Sequence, residues 1–224
     1  MGKKFGSDKN YDTKELASQL RHPHGEMGKE VGLEMNKGNV HICLNSYKLL
    51  RVSKGHNILE IGMGNGFFVK DLLRMEDDLH YTGADFSEEM VMDAKKSNID
   101  LINSGRVIFE KASIEKLPFA DAAFDRITTT NTIYFWPNPV ESATELLRVL
   151  KPGGMLLVAY RTKSCMDQMA FSEFGFSKYD PSGVEGLLEQ AGYTDLETQT
   201  IEEPELEFDG IVHRMKGYFT TGIN

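Results

Sequence analysis

The chain has 224 residues, enough for one domain of ordinary size with a short additional segment. Hydrophobic residues make up 40% and charged residues 26%, a composition typical of a folded globular protein and unlike that of a disordered one. The formal net charge of −9 argues against nucleic acid as a partner, because phosphate binding requires a basic surface.

No apolar run is long enough to cross a bilayer, and no apolar core follows the basic residues Lys3 and Lys4. We therefore expect neither a membrane span nor a secretory signal. Cys43 and Cys165 stand outside any CxxC or cysteine–histidine cluster, so neither a metal site nor a disulfide is predicted. A cytoplasmic location is the resulting expectation.

The first 50 residues differ in character from the rest of the chain. They are polar, contain several glycines, and place apolar residues at helical spacing. This spacing predicts helices over Thr13–Leu20, Lys29–Lys37 and Val40–Leu50.

From about residue 56, short apolar runs alternate with amphipathic stretches. The apolar runs predict strands and the amphipathic stretches predict helices, one of them capped by Ser87. The predicted strands are Asn57–Ile61, His80–Ala84, Val107–Glu110, Phe124–Thr130 and Met155–Tyr160. Further helices are predicted over Pro139–Leu150, which the turn sequence Lys151–Gly154 ends, and over Pro181–Ala191.

Two β segments close the chain, Thr194–Ile201 and Ile211–Phe219, with no room for a helix between them. They predict an antiparallel hairpin. Elsewhere strands and helices alternate, so the strands must be joined by crossover connections. The predicted fold class is therefore α/β, with a doubly wound, mostly parallel sheet and helices on both of its faces.

Three glycines directly follow the first predicted strand, in the stretch Ile58–Gly66. Without a Cβ, Gly62, Gly64 and Gly66 allow a sharp turn that brings the backbone close to a ligand. Free N–H groups at the start of the next helix favour a polar or anionic group there. The GxGxG spacing differs from the GxGxxG of dinucleotide-binding proteins, and an ordinary tight turn is also compatible with it.

Asp85 ends the second predicted strand, beside the glycine turn. Ligands of open parallel sheets bind beyond the carboxyl ends of the strands, so this carboxylate can accept both hydroxyls of a ribose. A simpler role as a helix N-terminal acid stays open. Glu60 lies within an apolar strand, where a carboxylate needs partners. We expect it to order the glycine loop or to hold an ammonium group.

Taken together, these motifs resemble those of class I S-adenosylmethionine-dependent methyltransferases. The resemblance covers roughly residues 40–200 and is strongest to the small-molecule branch that includes ubiquinone/menaquinone-biosynthesis enzymes. The stretches that carry it are Ile58–Gly66, Tyr81–Ser87, Glu115–Phe119, Phe124–Ile127 and Leu147–Gly154.

The resemblance implies a seven-stranded, Rossmann-like sheet with an antiparallel last strand, and S-adenosylmethionine as the cofactor. The glycine turn would hold the methionine end, Asp85 the ribose, and Phe86 and Met90 would lie beside the adenine. Ser113 stands where the family often has an acid that contacts the adenine amine, and its hydroxyl can make the same bond. The residues expected to bind the cofactor are Glu60, Gly62, Met63, Gly64, Gly66, Asp85, Phe86, Met90, Ser113, Ile114 and Asn131.

Residues 1–50 are expected to form a helical lid over a methyltransferase domain of residues 51–224, because an open sulfonium site would be poorly desolvated. Arg21, Asn36, Gly38 and Asn39 are polar enough to line such a lid. Alternatively, this segment is a dimer contact, and either a monomer or a homodimer is compatible with the sequence.

The segment Thr130–Pro137, after the fourth strand, would face the reactive sulfonium. Aromatic rings such as Trp136 suit a cation and a flat acceptor, although ordinary packing explains Trp136 equally well. Methyl transfer depends mainly on positioning and needs a base only when the acceptor must lose a proton. We expect Tyr134 and His41 to be catalytic. The candidate bases are His41, His24, His22, Tyr11 and His213.

The predicted function is therefore methyl transfer from S-adenosylmethionine to a small-molecule acceptor, with no metal, nucleic acid or membrane as a partner. Two alternatives stay open. One is an NAD(P)-dependent oxidoreductase, although this chain lacks the GxGxxG and YxxxK motifs that such enzymes favour. The other is a non-catalytic module that binds a nucleoside cofactor.

Overall fold

A seven-stranded sheet forms the centre of the computed structural model, which describes residues 3–5, 12–208 and 211–224. The order of strands across this sheet is β4-β3-β2-β5-β6-β10-β7. The described strands are β1 (Lys3–Phe5), β2 (Asn57–Ile61), β3 (His80–Asp85), β4 (Val107–Lys111), β5 (Phe124–Thr130), β6 (Leu150–Tyr160), β7 (Thr194–Glu202), β8 (Leu206–Phe208), β9 (Ile211–His213) and β10 (Lys216–Ile223).

The sheet is parallel from β4 to β6 and antiparallel at its other edge. The last strand, β10, lies between β6 and β7 and runs antiparallel to both. The described α-helices are α1 (Thr13–Arg21), α2 (Gly25–Leu49), α3 (Val69–Leu73), α4 (Glu88–Ser97), α5 (Ile99–Asn103), α6 (Pro139–Val149), α7 (Lys163–Met166) and α8 (Pro181–Ala191). The doubly wound, mostly parallel sheet with an antiparallel last strand is thus confirmed.

Side chains on the central strands alternate between two hydrophobic cores, one on each face of the sheet. In β2, Ile58 packs into one core and Leu59 into the other, and both are fully buried. Leu156 and Leu157 of β6 divide in the same way. Strands covered on both faces need apolar residues at every position, which explains the continuous apolar runs in the sequence. In the described part of the chain, no helix is both long and apolar enough to cross a lipid bilayer.

The two helices predicted over 29–37 and 40–50 are wrong as separate elements, because α2 is one helix of 25 residues. Glycines lower helix stability, and Gly38 lies where the prediction placed the break. Burial of Val31, Ile42 and Tyr47 against the rest of the molecule favours the continuous helix. Tertiary packing of an apolar face outweighs local propensity here.

The turn predicted over Lys151–Gly154 is also wrong, because these residues belong to β6. The pairing of β6 with β5 shifts register between Phe124 and Arg126 and so accommodates the extra residues. Gly153, at φ +74°, donates its N–H to the carbonyl of Asn224. The sequence indicated a turn here and did not indicate that these residues lie inside a bulged strand.

The terminal hairpin is confirmed for β7 and β10, but the predicted strand over 211–219 is divided into β9 and β10. A second, three-stranded sheet forms beside it, in the order β1-β8-β9. In this sheet β1 pairs in parallel with β8, which joins the beginning of the chain to the hairpin before β10.

A buried ion pair holds the base of this hairpin. The guanidinium of Arg161, which follows β6, donates to both carboxylate oxygens of Glu203 at 2.6 and 2.8 Å. The two side chains are only 6% and 3% exposed. Gly217 leaves the room that the carboxylate needs, because a Cβ there would lie 2.7 Å from Glu203 Oε1. The bidentate geometry satisfies both charges where water is absent.

Removing one partner of this pair should leave an uncompensated buried charge. We expect Glu203→Gln to lower the free energy of unfolding by about 3 kcal/mol in urea denaturation. Glu202→Gln is the matched control, since Glu202 pairs with Lys216 at the surface, and should change it by less than about 0.5 kcal/mol. Equal effects of the two substitutions would contradict the assigned role of the buried pair.

Candidate functional site

The glycine turn after β2 places three backbone positions in left-handed conformation, each for a different reason. Gly62 donates its N–H to the carbonyl of Ala84, and a Cβ at Gly62 would collide with the methyl group of Thr132. Gly66 packs tightly against the α4 side chains, where a Cβ would lie 3.1 Å from Ala94. Gly64 faces open space within 4 Å. The outer glycines therefore permit close packing, and the middle one exposes the backbone to a cleft.

Asp85 stands at the carboxyl end of β3 and is 7% exposed. Its Oδ2 accepts the N–H of Gly64 at 3.0 Å, and its Oδ1 accepts the N–H of Ser87 at 2.9 Å. Burial raises the pKa of the Asp85 carboxyl above its ordinary value, and the two backbone hydrogen bonds partly oppose that rise. Each carboxylate oxygen can accept a further hydrogen bond, so both retain capacity towards the cleft.

Glu60 is 5% exposed and is held by two tyrosines that the sequence did not indicate. Its Oε2 accepts hydrogen bonds from Tyr81 at 2.7 Å and from Tyr47 at 2.8 Å. Burial raises the pKa of the Glu60 carboxyl, and both tyrosine hydroxyls oppose the rise. Tyr47 belongs to α2 and Tyr81 to β3, so this carboxylate connects α2 to the sheet.

These groups line one cleft at the carboxyl edge of the sheet, enclosing about 1300 Å³ with its open mouth included. Among the predicted cofactor-binding residues, only Gly66 is absent from its lining within the described chain. The others are Glu60, Gly62, Met63, Gly64, Asp85, Phe86, Met90, Ser113, Ile114 and Asn131. Asn65 also lines it, and its Oδ1 is buried with no hydrogen-bond partner among the described residues. The cleft thus offers carboxylates and an unsatisfied acceptor to a ligand rich in donors.

At one end of the cleft, Phe86 is 43% exposed although it is a large apolar residue. His22 stacks on its ring with centroids 4.7 Å apart. Met90 is 2% exposed and lies one helical turn further along the chain. The hydroxyl of Ser113 donates to Glu115 at 3.1 Å. This end combines apolar surface with a few polar atoms, as a flat heterocycle requires.

A second cavity of about 1030 Å³ adjoins the cleft. Helix α2 forms the wall between them: Gly32, Asn36 and Cys43 face the cleft, while Val31 and Gly38 face the second cavity. Both cavities share the lining residues Leu20, Met35, Asn39, Asn131 and Phe135. The remaining lining of the second cavity is mainly aromatic or sulfur-containing, with Phe171, Phe176, Cys165, Met166, Met169 and Met215.

The two predicted catalytic residues lie in different surroundings. Tyr134 is 3% exposed and lines the second cavity, and its hydroxyl accepts the N–H of Arg161. Burial raises the pKa of Tyr134 well above its ordinary value. His41 is exposed on α2 and belongs to the described lining of neither cavity.

The other candidate bases also lie away from the second cavity or outside the description. His24 bonds through Nδ1 to the carbonyl of His22, and neither ring belongs to the lining of the two cavities as described. Tyr11 falls outside the described residues. His213 belongs to β9. Within the described residues, no group of three or more His, Cys, Asp or Glu side chains is arranged to hold a metal ion.

Comparison with known proteins identifies the family. The profile described as "Methyltransferase domain" matches residues 59–158. The uncharacterized methyltransferase YdaC of Bacillus subtilis is 29% identical over 143 residues, which are 58% of this chain and 77% of that protein. The ubiquinone/menaquinone biosynthesis C-methyltransferase UbiE of Saccharophagus degradans is 30% identical over 182 residues, covering 77% of this chain and 72% of that protein.

Among solved structures, a Haloferax volcanii methyltransferase in complex with the Trm112 methyltransferase activator has a TM-score of 0.77 at 19% identity. The superposition covers 86% of this chain and 92% of that one, and establishes a shared fold. The comparisons do not support an oxidoreductase. The sequence relatives, the sheet topology and the cleft beside the glycine turn agree, and the chain belongs to the class I S-adenosylmethionine-dependent methyltransferases that act on small molecules.

Proposed function

We propose that S-adenosylmethionine lies in the cleft beside the glycine turn and that the second cavity holds an uncharged, apolar methyl acceptor. The main support for this proposal is that the two cavities share part of their lining. Five residues line both cavities, so a ligand in one would meet a ligand in the other at Asn39 and Asn131. When bound, S-adenosylmethionine supplies an electrophilic methyl group on a sulfonium.

The contacts of the cleft favour one direction for the cofactor. Asp85 has two carboxylate oxygens that can accept the ribose hydroxyls while the Gly64 and Ser87 N–H groups hold it in place. Phe86 and Met90 supply apolar surface for the adenine. Glu60, at the other side of the turn, offers a carboxylate to the ammonium group of the methionine part. These three assignments place opposite chemical ends of the cofactor at opposite ends of the cleft.

The charges near the second cavity are already paired, which favours an uncharged acceptor. Arg161 donates to both oxygens of Glu203, and Glu34 accepts from Lys37 at 2.6 Å. The aromatic and thioether side chains around them suit an apolar ring and adapt to its shape. The Saccharophagus degradans relative is named a C-methyltransferase, which makes a carbon atom of such a ring one candidate for the accepting atom.

Positioning and exclusion of water are the catalytic contributions that the geometry supports best. The hydroxyl of Tyr134 is engaged with the backbone of Arg161, and its high pKa keeps it protonated at neutral pH. We therefore infer that Tyr134 holds its neighbours in place instead of removing a proton. His41 is too exposed to act at the passage between the cavities without a rearrangement of α2.

We further propose that residues 12–50 act as a lid. Arg21 and Pro23 line the cleft, and the carbonyl of Pro23 accepts the Ser87 hydroxyl at 2.8 Å. Ser87 in turn donates its N–H to Asp85. The connection between α1 and α2 is thus joined, through Ser87, to the residue proposed to bind the ribose. Closing this segment would remove water from the cofactor.

Substitution of Asp85 tests the cofactor site. We expect Asp85→Asn to weaken binding of S-adenosylhomocysteine by about 3 kcal/mol, because one acceptor for the ribose hydroxyls is lost and the other no longer carries a charge. The wild-type affinity should fall as the pH drops through the raised pKa of Asp85. This fall should begin at a higher pH than it would if the binding carboxylate were an exposed aspartate. Calorimetric titration over a pH series measures both effects.

The control for this series is Asp125→Asn. Asp125 accepts hydrogen bonds from Asn57 and Lys151 and lies outside the cleft. Its replacement should leave both the affinity and the pH profile unchanged. An unaltered pH profile in Asp85→Asn would contradict the proposed ribose contact.

The lid is tested by a pair of helical glycine substitutions, one on α2 and one on α8. A Cβ at Gly28 would lie 2.8 Å from the backbone carbonyl carbon of Pro23, so Gly28→Ala must displace the segment above the cleft. We expect the Kd for S-adenosylhomocysteine to rise about fivefold, or 1 kcal/mol. Gly186→Ala, on α8 and outside the described lining of both cavities, adds a Cβ with nothing within 4 Å and should stay within about twofold. Equal affinities for both variants would exclude a lid built on Pro23.

The acceptor cavity is tested with Leu16→Glu. Leu16 lies half-buried on α1 and lines the second cavity but not the cleft. A carboxylate there should reduce transfer of a tritiated methyl group to uncharged phenols and quinols by about tenfold or more, while the Kd for S-adenosylhomocysteine stays constant.

Ser18→Glu is the matched control, because it adds the same charge on the exposed side of the same helix. It should leave both measurements unchanged. If no uncharged ring compound accepts a methyl group from the wild-type protein but charged compounds do, the proposed acceptor class is wrong.

A further inference from the structure

Five residues line the passage between the two cavities, and only two of these five are polar. Asn39 from α2 and Asn131 after β5 are its polar side chains, and both line both cavities. Asn131 Nδ2 donates to Asn39 Oδ1 at 3.1 Å, across 92 residues of sequence. Under the proposed function, the acceptor atom that receives the methyl group lies near this pair of amides.

The orientation of the two amides is set by a chain of hydrogen bonds that begins at the backbone. The N–H of Arg161 can only donate, and the Tyr134 hydroxyl receives it at 2.5 Å. The hydroxyl proton then points to Asn131 Oδ1 at 3.1 Å or to the Arg161 carbonyl at 3.3 Å. With Oδ1 turned to Tyr134, the Asn131 Nδ2 donates to Asn39 Oδ1. The Asn39 carboxamide oxygen is therefore occupied.

The remaining polar group of Asn39 is its Nδ2, which carries two N–H bonds. Among the residues that the structure describes, Nδ2 of Asn39 makes no hydrogen bond, and the residue is half-buried. We propose that Asn39 is the positioning residue for the methyl acceptor and that its Nδ2 donates a hydrogen bond to an oxygen of that molecule. This inference rests on the proposed function, since it places the acceptor in the second cavity.

The direction of the hydrogen bond has a consequence for specificity. A donor at the passage selects an acceptor molecule with an oxygen lone pair close to the atom that receives the methyl group. A phenol, an enol or a quinol meets this condition whether the methyl group goes to that oxygen or to the adjacent ring carbon. A hydrocarbon ring without oxygen would enter the apolar cavity but would not be held at a fixed position relative to the methyl group.

Two small probes of matched shape test the assignment, 1-naphthol and naphthalene. Their affinities for the full chain, saturated with S-adenosylhomocysteine, can be measured by fluorescence titration. We expect the wild-type protein to bind 1-naphthol about fivefold more tightly than naphthalene, the gain from one hydrogen bond. Asn39→Ala should abolish this preference and leave the affinity for naphthalene within about twofold.

Asn45→Ala is the matched control. Asn45 lies six residues later on α2 and belongs to the described lining of neither cavity, so the preference for 1-naphthol should persist. Thermal unfolding followed by circular dichroism verifies that both variants fold.

The outcomes separate this inference from the proposed function. If the wild-type protein binds both probes equally, or if the preference survives in Asn39→Ala, the role of Asn39 is overturned and the acceptor cavity stands. If neither probe binds the wild-type protein, the acceptor cavity itself is overturned, and the role of Asn39 with it.

Discussion

A buried carboxylate determines how helix α2 packs against the sheet. Glu60 lies in the middle strand of the parallel part of the sheet, and a charge in such a position is strongly unfavourable without partners. The hydroxyls of Tyr47 and Tyr81 meet the same oxygen, one from α2 and one from β3. Because Tyr47 must reach Glu60, α2 is fixed across the carboxyl edge of the sheet. The two cavities depend on that position, because residues of α2 line both of them.

Once α2 is fixed there, its helical periodicity creates the two compartments. Residues on one side of the helix line the cofactor cleft, and those on the adjacent side line the second cavity, while Met35 and Asn39 contribute to both. One glycine of this helix is required by close packing. A Cβ at Gly28 would lie 2.8 Å from the backbone of Pro23. Alanine there would favour the helix intrinsically but would push the connection between α1 and α2 away.

The parts of this arrangement that were predictable from the sequence are those encoded by local patterns. The strands before and after Gly62 could be located because buried parallel strands are continuously apolar, and Asp85 because ligands meet such sheets at the strand ends. The partners of Glu60 could not be located, because no local pattern connects Tyr47 with a carboxylate 13 residues later. The second cavity was equally inaccessible, since its walls come from α1, α2, α7 and the segment before β10. Continuity of α2 was missed because packing, and not propensity, decides it.

The backbone of Asn131 carries independent information about the passage between the cavities. Its φ is +57°, a conformation that costs a non-glycine residue roughly 1 kcal/mol and that asparagine tolerates better than most. Glycine adopts this conformation at a lower energetic cost, so glycine would be the better residue if this position only ended β5. Asparagine retains a carboxamide at this place, and both ends of that carboxamide are used, one towards Tyr134 and one towards Asn39. Local strain that persists because the surroundings require the side chain is typical of functional positions. The same amide therefore explains why the strand ends in an unfavourable conformation and how the Asn39 donor comes to face the passage.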